Sequence, residues 1–308
     1  MTLDGAVYFI NLNGKSMKII KYFLPYGLVA LRRRYINKSN RTGGYDEQLR
    51  RRNYREEIKC NEQKLEKLGR FENKSLEDVY NNSVKHLISR GLEVKHVIEG
   101  SVPLSSLIEI DRLLAEFTGR EFGLGLHIGN FLGLSLNCIT YSMRESFNGN
   151  YLMLSIDPDI IHRNIKNPSK YCNELLYLNS LESSSVVING YSGEKNISND
   201  GVEFDSNNNP FLSFNEEFAS TEVVKNLCKI LGAKVNLVFI DGHHDANYVR
   251  KELVSIEPLL ENGSLLIMDD VDSIAWEELN NLFIEISKSI KYEKVIHNDR
   301  IGVLKYVG

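Results

Sequence analysis

Val235-Asn236-Leu237-Val238-Phe239-Ile240-Asp241-Gly242-His243-His244 is an apolar run that ends abruptly in a carboxylate, a glycine and two imidazoles. Further along, Leu265-Leu266-Ile267-Met268-Asp269-Asp270 repeats the pattern. Between them Val249, Leu253, Ile256 and Leu260 recur at helical spacing over about Asn247 to Leu260, which predicts a strand, a crossover helix and a second strand. Parallel neighbours about 4.8 Å apart bring their carboxyl ends side by side, where open α/β sheets bind ligands. Asp241, Asp269 and Asp270 are therefore expected to converge on one point. Carboxylates crowded in this way repel, and either a cation or a raised pKa relieves the repulsion.

Upstream lies a nucleotide-binding pattern. Leu124 to Ile128 predicts a strand, and Gly129-Asn130-Phe131-Leu132-Gly133 turns into a helix carrying Ser135, Leu136 and Ile139. Glycines let backbone approach a ligand closely, and a helix N-terminus offers free N–H groups. The next strand, Tyr151 to Ile156, ends in Asp157-Pro158-Asp159, and a carboxylate at that place can accept both hydroxyls of a ribose. Before these, Ser75 and Asp78 form a capping pair for a helix stopped by Gly91, and a second helix is expected from about Ser105 to Thr118.

The chain of 308 residues is 42% hydrophobic, enough for one sizeable domain plus an appendage. Its net charge of −4 hides an asymmetry: residues 1 to 70 hold 16 Lys and Arg against 7 Asp and Glu, a net of +9. The expected organisation is a basic N-terminal extension over residues 1–72, a helical cap over 73–120 and an α/β domain over 121–308. Met17 to Leu31 is apolar and precedes Arg32-Arg33-Arg34, a pattern suited to an anionic membrane surface, but Pro25 and Gly27 interrupt any helix there. Peripheral contact at the inner membrane surface is one reading of this segment; packing or homo-oligomerisation is the other. Cys60, Cys138, Cys172 and Cys228 are dispersed, which argues against a disulfide framework or zinc knuckle. With no signal-peptide pattern and no apolar run of about 20 residues, a cytoplasmic location is expected. The polar stretch Gly193 to Phe214 is either a disordered insertion or a lid.

Five segments in order carry a resemblance: Leu126-His127-Ile128-Gly129-Asn130-Phe131-Leu132-Gly133, Ile156-Asp157-Pro158, Val187-Ile188-Asn189-Gly190-Tyr191-Ser192, Phe239 to His244, and Leu266 to Asp270. Together, over about residues 105 to 308, they resemble the class I S-adenosylmethionine (SAM) dependent methyltransferases, and within them the metal-dependent macrocin-type sugar O-methyltransferases. The resemblance implies a Rossmann-like α/β sheet with helices on both faces, closed by an antiparallel hairpin from Tyr292–Val295 and Ile301–Val307. It implies SAM bound by His127, Gly129, Asn130, Gly133, Ser135, Asp157 and the Gly190-Tyr191-Ser192 turn, with the glycines at its amino-acid part and the turn near adenine. It also implies Mg²⁺ on Asp241, Asp269 and Asp270, with His244 as base. The family usually has Glu at the place of His127 and an acidic residue at that of His243; His127 is expected as a polar residue tied to the cofactor or as a core strand end.

A sugar or glycan hydroxyl is a poor nucleophile, so a cation that acidifies it and an imidazole that takes its proton form a coherent pair. Asp241 and His244 would carry that catalysis. The alternatives are a SAM methyltransferase without metal and a degenerate SAM-fold binding protein. A nicotinamide oxidoreductase would leave the Asp241 and Asp269/Asp270 pair unexplained. Nucleic acid is not an expected partner, because the acidic α/β part lacks an Asn/Asp-Pro-Pro-Tyr type motif after Ile240.

Overall fold

The computed structural model describes residues 7–10, 16–19, 65, 68–192, 220–272 and 274–308. The chain divides into two compact units, Met1–Leu68 and Gly69–Gly308. In the first, β1 (Val7–Ile10) pairs antiparallel with β2 (Ser16–Ile19). Of Met17 to Leu31 only Met17 to Ile19 is described; Arg32 to Arg34, nearly all of Arg50 to Glu66 and the whole Gly193 to Phe214 stretch lie outside the described residues. No helix among the described residues is long and apolar enough to cross a membrane.

The second unit opens with three helices, α1 (Leu76–Ser89), α2 (Val94–Glu99) and α3 (Leu104–Leu114). Ser75 caps α1 by accepting from the Asp78 N–H, while Asp78 accepts from the Lys74 N–H, which satisfies two otherwise orphaned donors. A 3₁₀ turn, Ala115–Phe117, extends α3 to Thr118. There follow β3 (Gly123–Ile128), α4 (Leu134–Ser146), β4 (Tyr151–Asp157), α5 (Ser169–Leu178), β5 (Ser185–Asn189), α6 (Ser220–Leu231), β6 (Val235–Ile240), α7 (Ala246–Ile256), β7 (Leu260–Asp269), α8 (Glu277–Ser287), β8 (Tyr292–His297) and β9 (Ile301–Tyr306).

The seven strands from β3 on form one sheet in the order β5-β4-β3-β6-β7-β9-β8. Pairing is parallel from β5 through β7 and antiparallel at β9 and β8. This is the Rossmann-like sheet expected from the sequence, with its closing antiparallel hairpin. Residue parity explains why the central strands are apolar throughout. Leu237, Phe239, Leu265 and Ile267 share one core with Leu87, Ile110, Leu136 and Leu175 of α1, α3, α4 and α5. Their alternates Val238, Ile240, Leu266 and Met268 are equally buried. A sheet covered on both faces needs such continuous hydrophobic runs. Residues 73–120 therefore do more than cover the sheet's end, since α1 and α3 contribute side chains to its core.

The strand ends are laced together. Gly129 N donates to Ile156 O, Gly190 N to Asp157 O and Asp241 N to Ile128 O, each at 2.8 Å. Gly129 has φ +79°, and a Cβ there would be driven into the Asp241 carbonyl; one at Gly133 (φ +85°) would lie 2.7 Å from Cys172 Cα. These two glycines let the β3 loop lie against its neighbours. Gly129→Ala is expected to cost about 2 to 5 kcal/mol, from left-handed strain plus a backbone clash. Gly149→Ala, with φ +78° and nothing within 4 Å of the added carbon, should cost only about 1 kcal/mol. Denaturant unfolding of both variants checks this; equal losses would show that the Gly129 contact is not limiting.

Candidate active site

The carboxyl ends of the parallel strands surround a cavity of about 230 Å³. The β3 loop gives it Gly129 and Phe131, β4 gives Asp157 and Pro158, and the β5 turn gives Gly190, Tyr191 and Ser192. Asp241 to His244, Asp270 and Arg300 complete the other side. Asp157, Gly190–Ser192 and Gly129 are thus brought together with Asp241, His244 and Asp270. Asp269 is adjacent in sequence but turned inward, and His127, Asn130, Gly133 and Ser135 do not border the cavity.

Asp157 is 8% exposed and holds the glycine loop from within. Its Oδ2 accepts from the Asn130 and Phe131 N–H groups at 2.8 and 3.1 Å, and its Oδ1 from the Asp159 N–H at 2.8 Å. Burial raises its pKa against those three hydrogen bonds. The carboxylate shapes the loop first; any ribose contact would use the second lone pairs of the same oxygens. Asn130 in turn donates through Nδ2 to Ser155 Oγ at 2.9 Å.

His127 is fully buried, because its place in β3 opposite Phe239 turns it toward the helix layer. Its ring stacks on Phe239 with centroids 4.8 Å apart, Nε2 lies 3.3 Å from Ser135 Oγ, and Nδ1 has no partner. Burial pushes its pKa down to about 3. Of the two expectations for His127, the geometry matches a core strand end.

The carboxylate cluster forms as the strand register dictates, with Ile240 paired to Met268. One ligand atom each from Asp241, His244 and Asp270 lie within 4.8 Å of one another. Asp269 is 3% exposed. Arg300, at the β8–β9 turn, reaches Asp269 Oδ2 at 2.5 Å and Asp270 Oδ1 at 2.6 Å. Burial pushes Asp241 well up, with Asp269 and Asp270 adding to the rise and Arg300 opposing it. Burial likewise raises Asp269 to about 6, against the pull of Arg300. His244 Nε2 lies 2.9 Å from Asp270 Oδ2 without the geometry of a hydrogen bond, and among the described residues neither it nor the buried Asp269 Oδ1 has a hydrogen-bond partner. Asp270 has φ +55°, a left-handed conformation uncommon for a non-glycine residue and recurrent at functional sites. The His244 ring stacks on Trp276 with centroids 4.1 Å apart.

Three carboxylates against one guanidinium leave a formal charge of −2. Clustered oxygens, an aligned imidazole and orphaned buried acceptors suit a small divalent cation. Sequence reasoning missed Arg300, Glu252, Tyr248 and His162, all of which border the cavity. Only a predicted hairpin turn ending beside β7 pointed to Arg300, and nothing in the local pattern distinguished the others.

The neutral, buried state of His127 has a measurable consequence. Unfolded, the imidazole titrates near 6.5, so the unfolded chain binds a proton that the native one refuses, and stability falls as pH drops from 6.5 toward 3. The penalty should reach about 2 kcal/mol at pH 5. In His127→Phe, which keeps a ring against Phe239, the acid limb of the stability curve should be shallower by that amount. Parallel curves in denaturant titrations from pH 6.5 to 4 would refute it.

A family model described as a methyltransferase domain matches residues 126–271. No curated protein sequence matches the chain. Among solved structures, a putative O-methyltransferase from Klebsiella pneumoniae is 15% identical, covering 75% of this chain and 90% of its own, with a TM-score of 0.46. The O-methyltransferase TomG from Streptomyces achromogenes, solved in complex with SAM, is 11% identical over 77% and 92% of the two chains, with a TM-score of 0.48. A putative caffeoyl-CoA O-methyltransferase from Staphylococcus aureus is 14% identical over 82% and 99%, again with a TM-score of 0.48. The matched residues include Gly129, Asp157, Gly190 to Ser192, Asp241, His244, Asp269 and Asp270, so most of the residues that line the cavity lie within the matched segment, with Arg300 outside it.

Proposed function

We propose that the protein is a SAM-dependent O-methyltransferase acting on a hydroxyl of a sugar, glycan or similar small molecule, with a divalent cation such as Mg²⁺ and His244 as base. One observation carries the reading: a single cavity joins the Gly129, Asp157 and Gly190–Ser192 surface to Asp241, His244 and Asp270. The first surface suits the donor's nucleoside, and the second suits an acceptor oxygen.

SAM supplies an activated methyl group, so the protein's main task is alignment and activation of the incoming oxygen. The β3 loop, fixed by Asp157, and the β5 turn would hold the donor. Asp241, Asp269 and Asp270 would hold the cation, which when bound lowers the pKa of an acceptor hydroxyl. His244 would take the hydroxyl proton through the ring nitrogen turned away from Asp270, its ring kept in place by Trp276. Arg300 would favour the ionised form of Asp269 against the effect of burial and would hold Asp270 by an ion pair. The Phe131 and His162 rings, in edge contact with centroids 4.8 Å apart and both lining the cavity, would limit water at the reacting atoms. The division into a basic extension over 1–72, helices over 73–120 and a catalytic domain over 121–308 belongs to this proposal, as does a small-molecule partner. A cytoplasmic location, membrane contact through the extension and a homo-oligomer are proposals of the same standing.

Arg300 supports a second reading, a metal-independent methyltransferase, because a guanidinium already neutralises part of the carboxylate cluster. Titration calorimetry separates the two. Mn²⁺ or Mg²⁺ should bind at one site in the wild type and fail to bind in Asp241→Asn, with S-adenosylhomocysteine affinity largely unchanged. EDTA should abolish methyl transfer, and His244→Ala should lower turnover by about 10²-fold to 10⁴-fold, with the deficit shrinking at higher pH. Full activity in EDTA would leave the metal-free enzyme standing, and no affinity for S-adenosylhomocysteine would end the methyltransferase reading.

A further inference from the structure

Glu252 has no part in the chemistry described above, and its position calls for an explanation. It lies on α7 among Val249, Leu253 and Ile256, all buried, and is itself 1% exposed. An apolar residue there would pack without a desolvation cost, whereas a buried carboxyl is costly unless it is hydrogen-bonded. Only half of that need is met. Ser192 donates its hydroxyl to Oε1, while Oε2 is buried with no hydrogen-bond partner among the described residues. Glu252 also borders the cavity, as do Ser192, His243 and Tyr248, and the Tyr248 hydroxyl lies 3.5 Å from the Ser192 Oγ that meets Glu252. The His243 and Tyr248 rings lie 4.7 Å apart at 31°, so the neighbourhood of the carboxyl is largely aromatic.

A planar heterocycle suits such aromatic walls, and an N–H donor on its edge suits the orphaned oxygen. We infer that Glu252 selects the nucleobase of the methyl donor, its Oε2 accepting a hydrogen from the exocyclic amine of adenine; this rests on the methyl-transfer reading. Burial pushes the carboxyl up to about 7, which favours a neutral hydrogen-bonding partner over a charged one. Ser192 is then a positioning residue that holds Oε1 so that Oε2 faces the base. Hypoxanthine carries a carbonyl where adenine carries the amine, so the ionised carboxylate would meet a second acceptor, and the comparison is made at about pH 8.5, above the raised pKa, where no carboxyl proton can be donated to that carbonyl.

The test is calorimetric titration of the full chain with S-adenosylhomocysteine and S-inosylhomocysteine. The wild type should bind the adenine compound about 10-fold to 100-fold more tightly, as expected where a built acceptor is left unpaired by the wrong ligand. In Glu252→Gln the amide can turn either its oxygen or its NH₂ toward the base, and the ratio should fall below about threefold with thermal unfolding still cooperative. A purely structural role would lower both affinities together and keep the ratio. A wild type that does not discriminate, or a Glu252→Gln protein that discriminates as well as wild type, overturns the assignment. The wild-type ratio needs no variant to fold. If neither compound binds the wild type, the methyl-donor reading itself fails and the base assignment falls with it; binding of both without preference overturns Glu252 alone.

Discussion

Mutual repulsion of Asp241, Asp269 and Asp270 is the constraint around which the active end of this fold is organised. Parallel pairing of β6 and β7 leaves no freedom to separate them, because the register sets Ile240 beside Met268 and the carboxylates follow directly. The closing hairpin supplies the compensation. Arg300 reaches back from the β8–β9 turn to Asp269 and Asp270, so two antiparallel strands that lie far from the nucleotide loop still determine the charge of the site. A hairpin of different length would place the guanidinium elsewhere and leave buried anions unpaired, a costly arrangement in a low-dielectric interior.

The glycine-loop side of the cavity is governed by close approach. Gly129 has no room for a side chain beside the Asp241 carbonyl, and that contact couples the loop after β3 to the loop after β6. Asp157 fixes the same loop from its other flank through the Asn130 and Phe131 N–H groups. The two halves of the cavity therefore share backbone as well as space. A change of shape at the glycine loop would move Asp241, and binding at one side is mechanically linked to the geometry of the other.

Strand parity and the order of strand-terminal motifs made the sheet legible in the sequence, since both depend on neighbouring residues alone. Ser75 with Asp78 marked the start of α1 for the same reason. Features that depend on distant partners were not legible. Arg300 is one arginine in a polar turn until the hairpin folds it onto β7. Glu252 follows Lys251 in what looks like the polar face of an amphipathic helix, and only tertiary packing buries it. His127 shows a different limit: its place in the motif suggested a cofactor contact, but alternation along β3 turns it away from the cavity into the helix layer. Asp269 and Asp270 were read as equivalent, although Asp269 ends β7 and is buried against Arg300, while Asp270, one residue past the strand at φ +55°, touches Arg300 and His244 and borders the cavity.

That inequality divides the work among the carboxylates. Asp269 is committed to Arg300 through Oδ2, Asp270 lies between Arg300 and His244, and Asp241 has no cation of its own. The least compensated group is therefore the one that faces the cavity from the centre of the sheet, and burial together with its two neighbours raises its pKa. A proton and a divalent cation compete for the same electrostatic deficit at Asp241. Under the proposed function, Asp241 would help to hold the cation, and its charged form would be favoured while that site is filled. The surplus negative charge that makes the cluster unfavourable in isolation is then the source of its affinity.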